Sequence, residues 1–72
     1  MKQQIRLDTM SDINKFVEVV SHIDEQVYLE DDTGHKVSAK SLLFTAVAKM
    51  EWNTIYCSCS KDIAGMILPW IV

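Results

Sequence analysis

Ser38-Ala39-Lys40-Ser41-Leu42-Leu43 is a polar turn that becomes an apolar helix at a serine. Downstream, Leu43, Ala46, Val47 and Met50 recur at helical spacing, which predicts a helix burying that stripe. Ser41 stands just ahead of it as the predicted N-cap. Upstream, Lys36 to Lys40 alternates, with Val37 and Ala39 directed inward. Before that lies Asp31-Asp32-Thr33-Gly34, in which Asp favours local side-chain bonds and Gly accepts a positive φ. Gln26 to Glu30 alternates again, with Val27 and Leu29 inward. The two alternating segments and their turn predict a β-hairpin leading into the helix.

The flanks extend the same logic. Gln3 to Asp8 alternates with Ile5 and Leu7 on one face, predicting a half-buried strand. Thr9 and Ser11 offer capping hydroxyls, and Asp12 puts a carboxylate in the first turn of a helix. Ile13, Phe16, Val17 and Val20 form its apolar stripe, and it is expected to end near Ser21 or His22. Thr54 to Ser60 predicts a last strand, with Ile55, Cys57 and Cys59 sharing one face. Ser60-Lys61-Asp62 is expected to start a third helix through Ile63, Met66 and Ile67, which Pro69 must stop or kink. The order strand–helix–strand–strand–helix–strand–helix predicts an α+β, open-faced two-layer sandwich. Four antiparallel strands carry three helices on one face.

The chain has 72 residues, so residues 1–72 are one domain. A domain of this size buries only about 60% of the surface its unfolded chain exposes, which leaves little room for a large internal cavity. The formal charge of −3 argues against a nucleic-acid surface, which needs clustered Lys and Arg. No secretory leader is expected at Met1-Lys2-Gln3-Gln4-Ile5-Arg6, which lacks an apolar core segment. Ile63 to Val72, interrupted by Gly65 and Pro69, is too short for a membrane span. A cytoplasmic protein is expected. Two cysteines are too few for a disulfide framework.

The element order, the segment Ser38-Ala39-Lys40-Ser41-Leu42 and, more weakly, Phe16-Val17 resemble the histidine-containing phosphocarrier (HPr) family of the bacterial sugar phosphotransferase system. The resemblance runs from about Lys2 to Met66. It implies an HPr-like fold and cytoplasmic protein partners from that system. In the family the serine matching Ser41 is the target of a regulatory kinase in some bacteria. The apolar residues after it help form a docking surface, here Leu42 and Leu43 with Phe44 beside them. The family's active-site pattern, Gly-Leu-His-x-Arg-Pro, is replaced by Asp8-Thr9-Met10-Ser11-Asp12. Thr9 falls where the histidine belongs and Ser11 where the arginine belongs. Threonine is a poor nucleophile without a base, and Asp8 and Asp12 repel a phosphoryl donor. The expectation is therefore a regulatory or protein-interaction module with no catalytic residue, cofactor or metal. A relative with the histidine replaced and the serine retained, of the catabolite-repression type, is known in the family. The alternatives are a phosphocarrier using another residue, or an accessory structural domain unrelated to sugar transport.

The remaining candidates have plainer readings. His22, near a helix end, and His35, at the hairpin, are expected to be solvated surface residues. Cys57 and Cys59 lie on one strand face, roughly 6.6 Å apart, and are expected to serve as small buried hydrophobes. Glu30-Asp31-Asp32, with Asp24 and Glu25 before it, lacks calcium-loop spacing and is expected to be a solvated turn. The apolar tail Met66-Ile67-Leu68-Pro69-Trp70-Ile71-Val72 is expected to fold over the core, with homodimerisation through it as the alternative.

Overall fold

A computed structural model describes residues 1–72. The chain runs β1 (Lys2–Ile5), α1 (Met10–Ser21), β2 (Val27–Glu30), β3 (Lys36–Ser38), α2 (Leu42–Glu51), β4 (Ile55–Cys59) and a 3-10 turn, Leu68–Trp70. The four strands form one antiparallel sheet in the order β1-β4-β2-β3. No helix is long and apolar enough to cross a membrane.

Alternation sorts the sheet's two faces. Ile5, Val27, Leu29, Ala39, Ile55, Cys57 and Cys59 are buried and join Ile13, Phe16 and Val20 of α1 and Ala48 of α2 in one core. The opposite face carries Tyr28 and Tyr56, with the Lys36 ammonium 4.4 Å from the Tyr28 ring centroid and that of Lys2 5.0 Å from Tyr56. The hairpin turn is held by Asp31, whose carboxylate accepts from the Thr33 and His35 backbone N–H groups at 2.9 and 2.8 Å. Gly34 supplies the positive φ of 95° that the turn needs. β1 is shorter than its alternation suggests: pairing stops at Ile5, although Leu7 is still buried.

Two expectations are corrected. The third helix does not form. Ile63 to Ile67 makes one turn, with the Met66 and Ile67 N–H groups both donating to the Ile63 C=O, and Pro69 then sits inside the 3-10 turn. Gly65 and Pro69 leave too few good helix formers between them, and the backbone is used in the sheet instead. Arg6 N–H donates to Trp70 C=O at 2.8 Å, and Val72 N–H to Gln4 C=O at 3.1 Å, so that Ile71 bridges Ile5. The tail thus folds over its own domain. Trp70 is buried, edge-on to Phe16 with ring centroids 5.5 Å apart.

The second correction concerns α2. The buried residues are Thr45 and Ala48, while Leu43 is 69% and Met50 83% exposed. At 100° per residue the buried side lies roughly 180° from the expected stripe. The sheet and Ala39 leave α2 room only for small side chains. The Thr45 hydroxyl donates to the Ala39 C=O at 3.3 Å, which satisfies it in the core.

Candidate functional site

The mouth of α1, where the resemblance locates its active site, is capped by the chain's own groups. Thr9 is the N-cap: its Oγ1 accepts from the Asp12 N–H at 3.0 Å. The Asp12 carboxylate reaches back and accepts from the Thr9 N–H at 3.3 Å and the Asp8 N–H at 3.1 Å. This is a reciprocal capping box. The Asp8 N–H is the largest cause holding the Asp12 carboxyl below its ordinary range, outweighing the burial that pushes it up. A carboxylate therefore sits at the start of α1, bonded to the Asp8 and Thr9 N–H groups, and its negative charge opposes a phosphoryl group there. Ser11 is exposed. The one guanidinium nearby, Arg6, pairs with Asp8 at 3.1 Å. The Thr9-x-x-Asp12 spacing carries this signal in the sequence.

Neither histidine reaches that mouth. His22 caps the other end of α1, its Nδ1 2.7 Å from the Glu18 C=O, about 20 Å along the helix from Thr9. His35 closes the hairpin turn, with Nδ1 2.9 Å from Asp31 Oδ2 and 2.8 Å from Thr33 Oγ1. In the folded turn, desolvation pushes the Asp31 carboxyl up. Hydrogen bonds from His35 and Thr33 overcome it and bring the pKa down to about 2. Cys57 and Cys59 are free and buried, and burial, with the neighbouring Cys59, pushes the Cys57 thiol up to about 12, which leaves it unreactive at neutral pH.

The start of α2 is built differently. Ser41 is its N-cap, accepting from the Phe44 N–H at 3.2 Å, and no acidic residue lies in the first turn. Lys40 is turned away to donate to the Ile23 C=O, so its charge is anchored on the loop after α1. Past Ser41, the three residues Leu42, Leu43 and Phe44 are all exposed, and Val47 and Met50 continue the apolar surface along the helix. Sequence reasoning assigned Val47 and Met50 to the core because it scored hydrophobicity, not the space beneath the helix. A groove of about 330 Å³ runs beside this surface, between Phe44, Val47 and Trp52 of the helix side and His35 to Val37 of β3. Five large apolar side chains are thus exposed on this one helix.

Comparison with protein-family models, curated proteins and solved structures finds no match to this chain.

Proposed function

We propose that this chain is a regulatory, protein-binding module related to the histidine-containing phosphocarrier family, acting in the bacterial cytoplasm without histidyl phosphotransfer. The observation that carries this reading is the outward apolar face of α2, headed by the Ser41 cap. The element order through β4 and the carboxylate at the mouth of α1 support it. The departure is the end of the chain, which pairs with β1 where the family has a third helix.

In this reading Leu42, Leu43 and Phe44 dock onto a protein of the sugar phosphotransferase system or its regulation. Ser41 is the control point. A phosphate there places a dianion on the exposed N–H groups of α2, where the helix dipole favours it, and adds charge at the rim of the apolar surface.

Incubation with the phosphoenolpyruvate-dependent enzyme of the system and radiolabel is expected to give no acid-labile label. Label on His22 or His35 would show a phosphocarrier and overturn the reading. In a nuclear magnetic resonance titration with phosphotransferase and regulatory proteins, shifts are expected at residues 41–47, and Leu43→Glu is expected to abolish them. Absence of binding to every such protein favours the accessory-domain alternative.

A further inference from the structure

The sheet leaves backbone hydrogen-bonding capacity unspent at one edge. The Ala39 N–H donates to the Val27 C=O at 2.8 Å and the Asp31 N–H to the His35 C=O at 3.1 Å. Leu29 lies opposite Val37. Hydrogen-bonded pairs alternate along an antiparallel ladder, so Val37 bonds to β2 and its neighbours do not. Lys36 and Ser38 therefore turn their N–H and C=O groups away from the sheet. Of these, the Ser38 C=O accepts the Ser41 N–H at 3.3 Å, with a second lone pair to spare. The opposite edge differs, because Trp70 to Val72 bond to Gln4 and Arg6 and cover β1 from Gln4 on, leaving only Lys2 open. β3 is thus the open edge, and the apolar groove of α2 runs directly beside it.

We propose that β3 pairs antiparallel with β3 of a second copy of this chain, about a two-fold axis through Val37. The register is self-matching. The Lys36 N–H and C=O meet the C=O and N–H of the partner's Ser38, and the same pair forms again on the other side of the axis. Val37 meets the partner's Val37 in the close, non-hydrogen-bonded position, on the face that carries the helices. Lys36 lies opposite a serine and not another lysine, and its ammonium stays over Tyr28 on the far face. An axis normal to the sheet also sets the two α2 helices antiparallel in one layer. The first turn of each α2, positive by its dipole, then approaches the negative last turn of the other, where the side-chain charges of Lys49 and Glu51 cancel. Phe44 and Val47 line the seam on both sides. A one-residue slip would reverse every inward side chain. Because the tail leaves only Lys2 of the other edge unpaired, too little for a strand, pairing stops at two copies and does not propagate.

The protein alone tests this, independently of the phosphotransferase reading. Sedimentation equilibrium from about 10 μM to about 1 mM is expected to show a monomer–dimer equilibrium. The amides of Lys36 and Ser38 are expected to exchange about tenfold more slowly at the concentrated end, where the dimer dominates. Lys36→Pro removes a donor that points away from β2 and is expected to give a folded monomer. Val47→Lys, at a surface position, is expected to do the same and decides the matter if the proline variant fails to fold. A chain monomeric throughout, or a dimer that persists in Val47→Lys with unprotected Lys36 and Ser38 amides, as association through Leu68 and Val72 would give, overturns the proposal.

Discussion

Single carboxylates set the chemistry of both ends of this domain. Asp12 caps the mouth of α1, so supplying an imidazole there is not enough. Thr9→His is expected to give no phosphotransfer in the radiolabel assay, because Asp12 still keeps a negative charge at the start of α1 and position 11 still lacks a guanidinium. The substitution also removes the cap hydroxyl, at a cost of about 1 kcal/mol. Asp31 makes a second residue-scale prediction. Its folded pKa of about 2 lies below the ordinary 3.8, so folding favours the charged form. The stability it contributes is complete above the unfolded pKa and is lost as pH falls from about 4 to about 2. Thermal melts across that range are expected to show a steep loss of stability in the native chain and a shallower one in Asp31→Asn.

At the scale of elements, α2 separates hydrophobicity from burial. Met50→Lys is expected to change stability by less than about 0.5 kcal/mol, since the side chain faces water. Ala48→Leu forces extra carbons between helix and sheet and is expected to cost about 1–3 kcal/mol, measured by urea denaturation. A core-facing Met50 would give the reverse order. The hairpin, α1 and β4 were readable in the sequence because their apolar residues alternate or recur at a period matched by what they cover. In α2 the period was legible but its phase was not. Thr45 is buried by a hydrogen bond to Ala39 that no periodicity announces. The last segment misled for a related reason: Ile63, Met66 and Ile67 keep helical spacing, yet Gly65, Pro69 and the open side of β1 decide the outcome. Of the candidate site, the Ser41 cap and the apolar residues after it were legible. The capping box at the mouth of α1 was half legible, from the Thr9-x-x-Asp12 spacing.

For the molecule as a whole, the tail does the work that a third helix was expected to do. Trp70 seals the core against Phe16, and Trp70→Ala is expected to cost about 3–5 kcal/mol in urea denaturation, a large fraction of the few kcal/mol available to a domain of this size. A change under 1 kcal/mol would show the tail to be ornamental. The strand order has a further consequence, which concerns biosynthesis. β4 is the last strand made, yet it sits between β1 and β2. At about 5–20 residues per second, roughly 3–10 s separate the appearance of β1 from that of the strand that joins it to the hairpin. During those seconds the nascent chain holds an unmatched ribbon and an unfilled slot. Truncations before Ile55 should therefore remain unstructured and prone to capture by chaperones.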